Sequence, residues 1–383
     1  MSISRIKARR IITPEGIISG YVYYENDKIT YVGCDERPYD TEIDAGDLYV
    51  SPGFVDLHTH GAMGVDYCDI TGAEELELAL AYKASHGATT VLPTITSSSR
   101  EKTLAALECF ERIIGGTYSA RVPGVHLEGP FFSCDFCGAQ NPELITPPRV
   151  EFYGEILEKH GNIIKRWDYA PELDEGAVFC RALTERGIIA SAGHTGAEYD
   201  DIVRAMGQGM NLITHLYSCT STITRKGGFR HLGVIECAYL FDELYAEIIA
   251  DGRHLPPELL RLIFKTKPHD KLILVTDSLC VAGVDRLESN VGGVKCIVED
   301  GVCKLLDRSA FAGSIATMDR LVRVVTKEAG LPIEDAVMMA AYTPARLLKL
   351  NTGAIESGKD ADIIFFDDQI NVSRVIVAGR TIK

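Results

Sequence analysis

Short apolar runs, each closed by polar residues and followed by an amphipathic stretch, set the rhythm of this chain from residue 51 onward. The runs are VDLHTHG, TTVLPTIT, VPGVHLEGP, IKRWDYAPE, GIIASAGHT, NLITHLY, AEIIADGRH and KLILVTDS. Between them, segments such as AEELELALAYKASHG and REKTLAALECFERII place apolar residues at helical spacing. Strand–helix alternation of this kind predicts parallel strands joined by helical crossovers. Eight units are complete by about residue 277, and a (β/α)8 barrel needs that many in roughly 250 residues. An open doubly wound sheet is the alternative, but no GxGxxG follows the first strand to make a dinucleotide site.

Both ends of the chain break this rhythm. Residues 1–50 read as short β-rich runs (RIITP, GYVYYENDKITYVG, DLYVSPG) separated by turn residues, which predicts a small antiparallel sheet. The tail GKDADIIFFDDQINVSRVIVAGRTIK returns to such runs after the helical segments around GSIATMDRLVRVVTKEAG and TPARLLKL. The expected architecture is α/β: a TIM-type barrel over residues 51–349, with a small discontinuous β-sandwich domain made from 1–50 and 350–383.

Composition narrows the class. At 383 residues and 46% hydrophobic content the chain can bury a large core. It has neither an apolar run of membrane-spanning length nor a signal-peptide start, so a cytoplasmic enzyme with no membrane partner is expected. The 11 cysteines are scattered singly, which suits a reducing compartment; the one close pair, Cys134 and Cys137, has no second pair to match it. A net charge of −15 argues against a nucleic-acid partner. It does not argue against a small anionic substrate, because a few local cations or N–H groups suffice for one phosphate.

The candidate chemistry stands at the ends of the strands, where a barrel of this type carries its site. In HLEGPFF an acid, Glu128, closes an apolar run and needs a cation if it is buried. His194 of SAGHTG and His215 of THLY end consecutive strands, so they would reach one ion together with Glu128. His58 and His60 are one residue apart on a strand and share a face, and two imidazoles there are hard to explain as packing. His126 precedes Glu128 by two and would support the ligands from behind. Asp277 closes KLILVTDS and is the candidate general base; an N-cap role is the simpler competing reading.

PGFVDLHTHG, HLEGPFF, SAGHT, THLY, IADGRH, LVTDS and AGSIATMD, in this order, resemble the N-acetylglucosamine-6-phosphate deacetylases of the amidohydrolase superfamily. The resemblance implies a principal divalent metal on Glu128, His194 and His215, and a second position completed by His58 and His60 with Glu128 as a bridge. One or two ions per subunit are expected, Zn²⁺ first, with Fe²⁺, Mn²⁺ or Co²⁺ able to serve. It implies Asp277 as acid/base, and substrate contacts from Ala139, Gln140, Ser218, Cys219, Asp251, Gly252, His254, Phe311, Ala312 and Gly313. The implied reaction is deacetylation of N-acetyl-D-glucosamine 6-phosphate to glucosamine 6-phosphate and acetate, by a homodimer.

Three departures from the family pattern lie on the substrate side. Gln140 stands where many members have His, and Ser218 and Cys219 replace an Asn-Ala pair. The segment STITRKGGFRHLGVIE lacks the usual REPG; alignment back from IADGRH makes Arg230 the phosphate ligand, with Arg225 and Lys226 as competitors. Two alternatives therefore stay open: hydrolysis of a different N-acyl amino sugar, and a catalytically silent sugar-phosphate binding protein.

Overall fold

The structure is a computed structural model and describes residues 2–383. Eight strands form the barrel: β1 (Phe54–Thr59), β2 (Ala88–Thr96), β3 (Val125–Glu128), β4 (Ile164–Tyr169), β5 (Ile189–Ala192), β6 (Leu212–Ile213), β7 (Tyr245–Ile248) and β8 (Leu272–Leu274). They lie in sequence order and every neighbouring pair is parallel. Closure comes just past β8, where Ser278 bridges to Thr59 and the backbone N–H of Asp277 donates to the His58 carbonyl at 2.9 Å. All six residues of β1 and all nine of β2 are buried, as expected of strands covered on both faces.

The crossover helices form because their apolar residues recur at one face. In Arg100–Ile113, residues Thr103, Ala106, Leu107 and Phe110 are buried, and the Ser99 hydroxyl caps the helix by accepting from the Lys102 N–H. Leu107→Ala would remove a fully buried side chain and cost about 2–5 kcal/mol. No helix among the described residues is long and apolar enough to cross a membrane.

The two ends of the chain share one eight-stranded sheet, in which Tyr49–Pro52 pairs antiparallel with Ile363–Phe366. Its own core includes Ile6, Val22, Ile363, Phe365 and Ile376. The sheet is mixed, which corrects the antiparallel expectation: Ile3–Thr13 runs parallel to both Thr41–Asp44 and Tyr49–Pro52. The reason is connectivity. Tight turns reverse the chain through Gly16–Glu25 and Lys28–Gly33, but residues 34–40 then cross to the far side of the first strand without reversing it.

A four-stranded antiparallel sheet (Glu288–Val291, Val294–Glu299, Val302–Leu305, Phe311–Gly313) follows β8. The strand–helix rhythm does not reveal it, because it is an insertion beyond the eighth strand. It contributes one wall of the pocket described next.

Candidate metal centre

Glu128 is the last residue of β3, and His194 and His215 lie two residues beyond the ends of β5 and β6. At each histidine the chain leaves the strand in a left-handed turn (φ 46° and 27°), as it does at Asp277 (φ 47°). Non-glycine residues held there cost about 1–3 kcal/mol each and tend to mark sites where the fold imposes a direction on a side chain. The direction here is common to all. Glu128 Oε1 is 3.2 Å from His194 Nε2 and 3.3 Å from His215 Nε2, and the two nitrogens are 3.1 Å apart.

Backbone contacts set the ring states. His194 Nδ1 lies 3.1 Å from the Phe136 carbonyl and His215 Nδ1 lies 3.1 Å from the Ser218 carbonyl. A carbonyl only accepts, so each Nδ1 carries the proton and each Nε2 presents a lone pair. Donors 3.1 to 3.3 Å apart are spaced as three corners of a tetrahedron whose centre lies about 2.0 Å from each, the geometry of a Zn²⁺-type ligand set.

A second group stands beside the first. His60 Nε2 is 3.1 Å from Asp277 Oδ1 and 3.5 Å from Glu128 Oε2. His58 Nε2 is 3.4 Å from Glu128 Oε1 and 3.5 Å from Asp277 Oδ1, and although wholly buried it makes no hydrogen bond. A buried, unpartnered nitrogen facing two carboxylates fits a cation between them. His58, His60 and Asp277 thus form one candidate metal group, and Glu128, His194 and His215 another. A third cluster, His58, His126 and Asp168, has comparable spacing. Its cation is already present, because Arg166 Nε donates to Asp168 Oδ1 at 2.7 Å.

Electrostatics agree with the geometry. Burial opposes charge on Glu128, but the facing imidazoles of His194, His215 and His58 hold its carboxyl well below the usual range. Burial likewise opposes charge on Asp277, and the facing His58 and His60 hold it below its ordinary value. His126 is pushed down to about 4 by burial and by the Arg166 charge, so it is a neutral ring. It packs edge-on to His58 at 4.7 Å between centroids, the supporting place its position two residues before Glu128 suggests.

These groups open into a cavity of about 250 Å³. Of the other residues singled out in the sequence, Ala139, Gln140, Ser218, Cys219, His254, Phe311, Ala312 and Gly313 line it. Gln140 reaches deepest: its carbonyl accepts from Thr96 Oγ1 at 2.9 Å and Ser97 N at 3.2 Å, which turns its amide nitrogen onto Glu128 Oε2 at 2.7 Å. Asp251 is buried behind the wall and accepts from His254 Nδ1 at 2.9 Å. Gly252 supplies a left-handed turn (φ 74°) whose missing Cβ would point at Val324 and Glu328, away from the lining. The wall also includes Tyr217, Val291 and Ala310, which sequence reasoning missed.

Arg230 is not brought to this cavity. It is exposed on a two-stranded hairpin (Thr224–Lys226, Phe229–His231), where its guanidinium donates to the Gly228 carbonyl at 3.0 Å. On the same hairpin Lys226 pairs with Glu198 at 2.8 Å and Arg225 is exposed. The cavity lining holds no lysine or arginine.

Beneath the mouth lies an ionic cluster that no local pattern along the chain announces. Arg166 on β4 donates to Asp168, and through Nη1 and Nη2 to Glu247 on β7; all three residues are wholly buried. A signal was present in each case, a charge inside an apolar strand, but Glu247 lies on a different strand from Arg166 and Asp168 and only the barrel closes that distance.

The amidohydrolase family model matches residues 49–382. An N-acetylglucosamine-6-phosphate deacetylase of Bacillus subtilis (strain 168) is 32% identical, covering 98% of this chain and 96% of that protein. One from Lysinibacillus sphaericus is 31% identical over 88% of this chain and 87% of its own length. Among solved structures, a mutant of the Mycobacterium smegmatis N-acetyl-D-glucosamine-6-phosphate deacetylase in complex with N-acetyl-D-glucosamine-6-phosphate superposes with a TM-score of 0.92. It is 28% identical, and each chain covers 100% of the other. The Thermotoga maritima N-acetylglucosamine-6-phosphate deacetylase gives 0.88 at 30% identity, with 99% of both chains covered.

Proposed function

The chain belongs to the amidohydrolase family and, within it, to the N-acetylglucosamine-6-phosphate deacetylases, and from that membership we propose that it hydrolyses the acetamide of N-acetyl-D-glucosamine 6-phosphate. The products are glucosamine 6-phosphate and acetate. The observation that carries the reading is the convergence of Glu128 Oε1 with the bare Nε2 atoms of His194 and His215, open to a cavity that Asp277 also faces.

Glu128, His194 and His215 would hold the principal divalent ion, Zn²⁺ by donor type, with His58, His60 and Asp277 at a second position. When bound, such an ion supplies Lewis acidity that polarises a carbonyl and acidifies water. The chain's own residues do the rest. Asp277, whose carboxyl is held below its ordinary range, takes a proton from the attacking water and returns it to the departing amine. Gln140 holds Glu128 in place with its amide nitrogen. His254, oriented through Nδ1 by Asp251, turns its other nitrogen toward the sugar, and Ser218, Cys219, Ala139 and the Phe311–Gly313 strand shape the space around it.

The sugar phosphate needs a cation that the cavity lining lacks, and the exposed hairpin carrying Arg225 and Arg230 is the natural source. Phe229, 76% exposed on that hairpin, supports its burial against a second copy of the chain, so that a homodimer would deliver the Arg230 guanidinium to its partner's pocket. Eleven cysteines without a disulfide support residence in a reducing compartment such as the cytoplasm.

Acetate release from N-acetyl-D-glucosamine 6-phosphate, compared with N-acetyl-D-glucosamine and other N-acyl amino sugars, tests the reading directly. Preference for the phosphorylated sugar is expected, with a raised KM in Arg230→Ala. A better rate on a non-phosphorylated amide would replace the substrate, and no release from any of them would leave only a binding protein.

A further inference from the structure

The buried ionic cluster under the mouth has a polar edge that touches the candidate metal ligands. Glu247 Oε2 lies 3.2 Å from His58 Nδ1. The same carboxylate is held from three other directions: Arg166 donates to each oxygen, and the backbone N–H of His215 donates to Oε2 at 3.2 Å. Its orientation is therefore set by the barrel wall and not by His58.

That asymmetry has a chemical consequence for the imidazole. An ionised carboxylate can only accept, so the His58 nitrogen facing it must carry the hydrogen. Nε2 is then the ring atom left to face Glu128 and Asp277, where it has no hydrogen-bond partner. Without Glu247 the ring would be free to place its hydrogen on Nε2 and close a hydrogen bond to either carboxylate, which would block the second cation position. Charge acts in the same sense. Arg166 is matched by two carboxylates, Asp168 and Glu247, so this group of three is net negative below His58.

We propose that Glu247 is a positioning residue that creates the second cation position, by holding His58 as the Nδ1–H tautomer with Nε2 bare and aimed between Glu128 and Asp277. The proposal rests on the reading that the pocket holds divalent ions, and it makes the second ion, not the first, depend on Glu247. Removing an outer partner of a ligating histidine typically weakens metal affinity about 10- to 100-fold. The rings of His194 and His215 keep their supports in the Phe136 and Ser218 carbonyls, and Glu247 meets this group through the His215 backbone N–H, not through a ligand atom, so the ion on Glu128, His194 and His215 should be little affected.

Stripped wild-type protein and the near-isosteric Glu247→Gln are titrated with Co²⁺, following heat and visible absorbance, with no substrate present. The expected result is two equivalents in the wild type, and in the variant a first equivalent unchanged and a second weakened about 10- to 100-fold. In ¹⁵N-histidine-labelled, Zn²⁺-loaded wild type, the His58 ring should show its hydrogen on Nδ1. Undiminished binding of the second ion in folded Glu247→Gln would overturn the proposal. So would a wild type that takes up one equivalent only, or equal weakening of both ions, which is the mark of a merely structural role. If Glu247→Gln does not fold, Arg166→Met/Glu247→Gln removes the opposed charges together and is read the same way. Because the titration needs no turnover, it can fail while acetate release succeeds, and the reverse.

Discussion

Asp277 Oδ1 stands 3.1 Å from His60 Nε2, across 217 residues of chain, at the point where the barrel closes on itself. The carboxylate is thereby aimed into the cavity and kept ionised. Asp277→Asn retains the shape and removes the basicity, so kcat for acetate release should fall about 10²- to 10⁴-fold. Metal content by elemental analysis should stay within the wild-type range for the principal site, because Asp277 is not among Glu128, His194 and His215. Equal rates for the two proteins would remove Asp277 from the mechanism.

Chelation should abolish activity, and a divalent ion should restore it. The ion should also stabilise the fold, by about 2.7 kcal/mol at a free concentration one hundred times its Kd, read as a rise in Tm on reloading. Affinity should fall as the pH is lowered, since protons compete for the Nε2 lone pairs of His194 and His215. Glu128→Gln, which removes the charge shared by both candidate groups, should show neither effect.

The Arg166 cluster is expected to matter for stability more than its size suggests. Arg166→Met leaves Asp168 and Glu247 buried without their cation, a change that typically costs about 3–5 kcal/mol. Urea unfolding of the metal-free protein measures it. A loss below about 1 kcal/mol would mean that the two carboxyls simply take up protons.

Gln140 holds two donors as well as Glu128. Gln140→Ala strands the Ser97 N–H and the Thr96 hydroxyl in a buried site and should cost about 1–3 kcal/mol by the same measurement. Gln140→His is the informative contrast, because an imidazole offers one donor and one acceptor where the amide now satisfies three groups.

Thiol titration gives an independent check on the cysteines. Without reductant, 11 thiols should react in denaturant, since none is paired. In the native protein Cys34 and Cys134, both exposed, should react first. Cys237, whose thiol burial pushes up to about 11, should stay silent at pH 8.

Local pattern alone carried much of this protein. The eight strand runs were legible because a buried parallel strand is a continuous apolar segment and its crossover helix repeats every 3.6 residues, both properties of neighbours in sequence. Glu128, His194, His215, His58, His60 and Asp277 could be picked out for a related reason: a polar residue closing an apolar run is costly unless something converges on it. Tertiary structure decided what converges. Nothing in AEIIADGRH or IKRWDYAPE announces that Glu247 will meet Arg166, or that the pair will back His58, because those contacts span 81 and 189 residues and exist only once the barrel closes. The direction of Gln140, the insertion of residues 288–313 into the wall, and the exposure of Arg230 are of the same kind. Sequence specifies which groups need a partner; the distances at which partners are found belong to the closed fold.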